Sequence, residues 1–196
     1  MFGTFFGFEL RFWLRSIMLY VFLLIVGALI FAAVSTDRVT VGASLENTYR
    51  NAPFVIQQFY AFMSLLTLLM TTAFVNSAAT RDFAHNTYQI LFTTPLRKNS
   101  YLLGRFWAAT LVSVIPQLGV TLAIVLAKYM PWVDAERWGP VRWDAHAMGL
   151  VTHAIPNTIF ISAIVFAIAA LTRSTVVSFL GSLGLLVAYS VAGELT

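Results

Sequence analysis

Residues 80–107 read TRDFAHNTYQILFTTPLRKNSYLLGRFW, and this stretch decides the fold. It lies between two long apolar runs and gathers Arg81, Arg97, Lys98 and Arg105. In helical spacing Asp82, His85, Asn86, Gln89 and Thr93 fall on one face, and Phe83, Ala84, Thr87, Tyr88, Ile90 and Leu91 fill the other. Pro95 ends that helix, because proline has no amide donor and pushes Thr94 out of the helical region. Asn99 or Ser100 can cap a new helix that starts at Tyr101. An amphipathic helix, a proline break, a basic knot and a return to apolar sequence describe a loop at a membrane surface.

The composition around it agrees. The chain has 196 residues, 59% of them hydrophobic and only 10% charged, with a mean hydropathy of +0.81. A water-soluble domain carries about 25% charged residues, so lipid is the solvent for most of this chain. The net charge of +4 is scattered between apolar runs rather than gathered on one folded face, which argues against nucleic acid as a partner. Cysteine is absent, which excludes disulfides, thiolate metal sites and cysteine nucleophiles. The first eight residues lack the basic segment of a cleavable signal, and Arg11 and Arg15 come only later.

Working outward, the predicted architecture is all-α: a polytopic helical membrane protein forming a single transmembrane domain over residues 1–196. Residues 1–15 form an interfacial helix, with Thr4, Gly7, Arg11 and Arg15 on one side. Phe2, Phe5, Phe6, Phe12 and Trp13 spread over the other, their rings at headgroup depth. Glu9 falls among these aromatics, where it either snorkels or meets a partner. Five spans follow, at residues 16–34, 54–79, 106–127, 147–171 and 175–195, and residues 80–105 form a loop between the second and third. Nineteen residues in the first span give about 28 Å of helix, close to the hydrocarbon thickness. In the fifth, Ser174, Ser178 and Ser182 repeat at every fourth position, as do Gly184, Ala188 and Ala192, a spacing that lets helices approach closely.

Basic residues set the predicted orientation. The N-terminal segment carries Arg11 and Arg15, the 80–105 loop carries four basic residues against Asp82, and the turn before the last span carries Arg173. The remaining two loops balance to zero. The positive-inside rule therefore puts the N-terminus and the 80–105 loop in the cytoplasm, in the cell (inner) membrane. The loop with Trp132, Trp138 and Trp143 then faces outward as an interface belt. The sequence reaches Thr196 directly after a span, so a longer chain is expected.

Residues 87–105, TYQILFTTPLRKNSYLLGR, resemble the first cytoplasmic loop of ABC-2-type transporter permeases. The likeness lies in Thr87, Ile90 and Leu91, Thr94 and Pro95, Arg97 and Lys98, then Leu102, Leu103, Gly104 and Arg105. An interfacial helix before the first span is similar too. The resemblance implies a permease component that exports a substrate with ATP hydrolysed by a partner ATPase. ATP and Mg would sit on that partner and no cofactor on this chain, which has no Walker pattern (GxxxxGKS/T). It also implies a second permease half, as a homo- or heterodimer or within one longer chain, since one five-span chain is too little to enclose a pathway; the family has six spans per half, and five are read here. The helix at 81–93 would be the coupling helix that rests on the ATPase, with Arg81, Asp82, His85, Asn86 and Gln89 at that interface. Phe83, Tyr88, Leu91 and Pro95 would anchor it. Read without the resemblance, the same helix only anchors the loop.

The second span is rich in polar groups, and Gln57, Ser64, Thr67, Thr71 and Asn76 are candidates to line a substrate path. The equal alternative is interhelical hydrogen bonding in a packed bundle. Pro116 and Pro156, each beside an amide, are read as kinks rather than hinges. His146 and His153 lie seven residues apart without a deep acidic partner, so a structural role is expected and no metal site. Arg97 and Lys98 are open to anionic lipid, or to topology alone. No nucleophile and base pair, HExxH or paired intramembrane aspartate marks a catalytic site, so the chain is not read as an enzyme. A non-transporting assembly or sensor protein is the other class left standing.

Overall fold

The structure is a computed structural model and describes residues 1–36, 48–89, 93 and 97–194. Every regular element among them is helical: α1 (Phe2–Leu14), α2 (Ile17–Ser35), α3 (Pro53–Ala84), α4 (Lys98–Val114), α5 (Leu118–Ala127), α6 (Trp143–Gly149), α7 (Ile155–Thr172) and α8 (Thr175–Glu194). A 3-10 turn at Ile115–Gln117 joins α4 to α5, and a π turn at Leu150–Ala154 joins α6 to α7. Pro116 lies within the first irregular turn and Pro156 two residues after the second. Pro116 and Pro156 each deny a hydrogen to the carbonyl four residues earlier, and the helix tightens or widens locally instead of stopping.

Among the described residues four helical stretches are long and apolar enough to cross a membrane: Ile17–Ser35, Pro53–Ala84, Lys98–Ala127 and Trp143–Thr172. The described apolar part of α8, Thr175–Ala188, is shorter. α2 shows why water is the wrong solvent. Its inward face buries Leu19, Val26, Ile30 and Val34, yet its outward face is also apolar, with Ile17 79% and Leu24 69% exposed. A helix that is hydrophobic all round belongs inside a protein or in lipid.

The chain divides into two compact units. The first comprises Met1–Ser16, Thr67–Ser113 and Thr158–Thr196. Its core packs Leu68, Val75 and Ala78 of α3 against Ala109 of α4 and Ile161 and Val165 of α7, with Phe166, Leu185 and Leu186 around them. The second comprises Ile17–Leu66 and Val114–Asn157. There α2 lies so close to α5 that a Cβ on Gly119 would sit 2.8 Å from the carbonyl oxygen of Leu23 and 3.0 Å from the nitrogen of Gly27. Only glycine permits that backbone contact. Asn51 is the polar clip of this unit. Its Nδ2 donates to the carbonyls of Gly139 (2.9 Å) and Pro140 (3.0 Å), and its Oδ1 accepts from the Gly139 amide (2.8 Å). Lys128 Nζ donates to the same Gly139 carbonyl at 2.9 Å. Arg50 closes the end of α2 by donating to the Val34 carbonyl at 2.6 Å. Burial, with Arg137 nearby, lowers its guanidinium pKa below the ordinary value.

Two sequence expectations change here. The second helix does not stop at residue 79 before a separate helix from Arg81. It runs as one element of 32 residues through Ala84, about 48 Å long. Asn86, with a φ of 56°, ends it. The Thr87 amide donates to the Asp82 carbonyl (2.9 Å) and the Asn86 amide to that of Phe83 (3.3 Å), the paired bonds of a Schellman cap. The following helix also starts earlier than Tyr101, at Lys98.

Candidate functional site

The first unit contains a buried charged cluster, and it is built from three elements. α1 supplies Glu9, the last turn of α3 supplies Arg81 and Asp82, and the first two turns of α4 supply Tyr101 and Arg105. Glu9 is fully buried, Arg105 is 5% exposed and Asp82 8%. Buried charges survive only when paired and hydrogen-bonded, and each carboxylate of the cluster has an arginine, though Arg81 Nη1 and Arg105 Nε are buried without a hydrogen-bond acceptor among the described residues. Arg81 Nη2 pairs with Glu9 Oε2, and Trp13 Nε1 donates to Glu9 Oε1 at 3.0 Å. Arg105 Nη2 lies 2.8 Å from Asp82 Oδ2 and 2.9 Å from Oδ1, while its Nη1 donates to the Ala78 carbonyl at 2.9 Å. Tyr101 donates its hydroxyl proton to Asp82 Oδ2 at 2.7 Å. Arg105 Nε stands 3.9 Å from Glu9 Oε2, which joins the two pairs into one network.

Aromatic rings wrap this network. The Arg81 guanidinium lies 4.1 Å from the centre of the Phe12 ring, and that of Arg105 4.8 Å from Tyr101. Trp13 packs edge-on against Phe74 at 4.8 Å and Phe5 against Tyr101 at 5.4 Å. Gly104 lets α1 come down onto α4, since a Cβ there would sit 2.9 Å from Phe5 Cβ and 3.1 Å from the Phe2 carbonyl oxygen. On α1 the polar side, Thr4, Gly7, Arg11 and Arg15, is exposed, and so are Phe2 and Phe12 of the aromatic side. Phe5 and Trp13 rest on Tyr101 and Phe74. Glu9, the residue that spoiled the amphipathic pattern, is the centre of the docked face and meets Arg81. Beside the cluster, Arg173 stacks on Phe83 at 4.4 Å, and Phe83 stacks on Tyr88 at 5.4 Å.

The residues that the resemblance places at a partner interface therefore separate. Arg81 and Asp82 face inward, because Glu9 and Arg105 supply opposite charges there. His85, Asn86 and Gln89 are exposed just beyond the cap. Phe83 and Tyr88 are half-buried against the fold. Leu91 and Pro95 lie outside the described residues.

The polar residues of α3 separate as well. In the second unit Gln57 Nε2 donates to the Ala145 carbonyl at 3.0 Å, and Ser64 accepts from Asn157 Nδ2 at 3.0 Å. In the first unit Asn76 Nδ2 donates to Thr175 Oγ1 at 3.2 Å, and Thr67 and Thr71 are buried. Thr72 and Thr80 return their hydroxyl protons to carbonyls four residues back, at 2.9 Å each. Most of these groups are satisfied between or within helices, as an apolar solvent demands, but Thr71 Oγ1 and Asn76 Oδ1 are buried without a hydrogen-bond partner among the described residues. His146 is buried and His153 half-buried in the second unit. Among the described residues no group of three His, Asp or Glu side chains gathers as a metal site would require. In the loop before α6, Arg142 forks onto Asp144 at 3.0 and 2.7 Å, which raises the Arg142 pKa above its ordinary value.

No family model, curated protein or solved structure matches the chain.

Proposed function

We propose that the chain is the membrane permease component of an ABC-2-type transporter, exporting a substrate with ATP hydrolysed by a partner ATPase. One observation carries the reading: an exposed segment, His85 to Gln89, directly follows a helix end that is ionically tied to two other helices. A soluble motor pressing on that segment would move the end of α3, the start of α4 and α1 together, because the Glu9, Arg81, Asp82 and Arg105 pairs join them. The likeness of residues 87–105 to the family's first cytoplasmic loop supports the same reading. In it, α8 completes five spans, the N-terminus and residues 80–105 are cytoplasmic, and a second permease half completes the pathway. ATP and Mg belong to the partner.

The test is reconstitution with the partner ATPase. His85→Ala with Gln89→Ala alters the exposed segment without touching the buried cluster. The expected result is normal insertion with ATP hydrolysis uncoupled from transport. Coupled transport at the unaltered rate would remove the assignment. A second reading, an assembly or sensor protein without a substrate path, is favoured by the interhelical bonds that occupy Gln57, Ser64 and Asn76. Liposomes containing both proteins, but showing no ATP-dependent flux of any substrate class, would favour it.

A further inference from the structure

The internal pairing of the first unit has a consequence for its surface. Its carboxylates with described side chains, Glu9 and Asp82, are both buried and both matched by arginine. The charges left at the surface are all of one sign: Arg11, Arg15, Arg97, Lys98 and Arg173 are exposed. They adjoin the three helices that the cluster ties together. Arg11 and Arg15 are one turn apart on the undocked side of α1, Arg97 and Lys98 open α4, and Arg173 lies on Phe83 one residue from Asp82.

The same side of α1 carries apolar groups left largely or partly exposed. Phe8 is 62% exposed and Leu14 40%. Arginines one turn apart, flanked by an exposed phenylalanine and leucine, suit a helix whose rings enter the acyl boundary while its guanidiniums meet phosphate oxygens. A soluble acidic partner would match the charge but not these apolar groups.

We propose that the outer face of α1, together with Arg97, Lys98 and Arg173, binds the headgroups of anionic phospholipids. The charges act as a set, each basic residue contributing roughly a fivefold gain in association with an anionic surface. The inference stands apart from the transport reading, since it needs only insertion of the folded chain.

The experiment uses the full chain in phosphatidylcholine bilayers with and without phosphatidylglycerol, extracted gently, with retained lipid counted by native mass spectrometry. The wild type retains phosphatidylglycerol in preference to phosphatidylcholine, and higher salt weakens the preference. Arg11→Gln with Arg15→Gln lowers apparent phosphatidylglycerol affinity on the order of twenty-fivefold, by the same per-charge factor. Arg142→Gln, in the other unit, leaves it unchanged. Arg11→Lys with Arg15→Lys keeps the charge and most of the retention, which separates charge from any folding defect in the glutamine variant. Equal retention of the two lipids by the wild type overturns the proposal. So does unchanged phosphatidylglycerol retention in the glutamine variant, or failure of the lysine variant to restore it.

Discussion

Arg105 grips Asp82 with one guanidinium nitrogen, 2.8 Å from Oδ2, and the Ala78 carbonyl with the other. A single side chain thus fastens the first turns of α4 to the last two turns of α3. The fork geometry requires arginine, because lysine offers one point charge where two separated acceptors must be met.

Removing one member of that pair strands the other. Asp82→Asn should lower stability by about 3–5 kcal/mol, the usual cost of breaking a buried ion pair. Asp82→Asn combined with Arg105→Gln should be less harmful than the sum of the two single changes. Thermal unfolding in detergent, run as a double-mutant cycle, measures this, and strict additivity would show that the pair is not coupled.

Glu9 holds α1 in place from its centre. Glu9→Gln leaves Arg81 without its counter-charge and should loosen the helix from α3 and α4. Since the chain contains no cysteine, a cysteine introduced at Phe5 reports the docking directly. Its labelling should be slow in the parent and markedly faster with Glu9→Gln. Equal rates would mean that the rings, not the ion pair, hold α1.

Two helix backbones touch at Gly119. Gly119→Ala would put a methyl against backbone atoms of α2 at 2.8 and 3.0 Å, and neither is a flexible side chain. The second unit must open, at a cost of about 1–3 kcal/mol. Gly184→Ala is the control, since nothing lies within 4 Å of a Cβ there.

The cap at Asn86 tests the end of α3. A φ of 56° suits asparagine or glycine and strains a β-branched residue. Asn86→Gly should be neutral or slightly stabilising, and Asn86→Val should cost about 1–2 kcal/mol. Hydrogen exchange at the Thr87 amide, bonded to the Asp82 carbonyl, should speed up in the valine variant alone.

The apolar runs made the helices legible, and the prolines made their irregular turns legible. In both cases the cause is local: continuous hydrophobicity and a missing amide hydrogen. The polar side of α1 was legible for the same reason. The inward turn of Arg81 and Asp82 was not. Their spacing with His85 and Gln89 describes a polar face equally well whether water or opposite charge meets it, and Arg81's partner stands 72 positions earlier. One sign did lie in the sequence: a glutamate set among phenylalanines and a tryptophan needs an unusual neighbour. Asn86 was a second sign, a good left-handed terminator placed after the last turn of α3. The end of the apolar run at Ala79 and the amphipathic spacing that follows it drew the boundary there instead.

Asn51 joins its loop to residues 139 and 140 through a nitrogen that donates twice and an oxygen that accepts once. Loss of ammonia from that amide would exchange the donor for a second oxygen, facing two carbonyl oxygens at hydrogen-bond distance. Attraction would become repulsion through a change of one heavy atom, with the shape of the side chain preserved. Exposed to only 4%, the amide is shielded from the water such hydrolysis consumes. The burial that makes the clip firm is therefore also what protects it from chemical ageing.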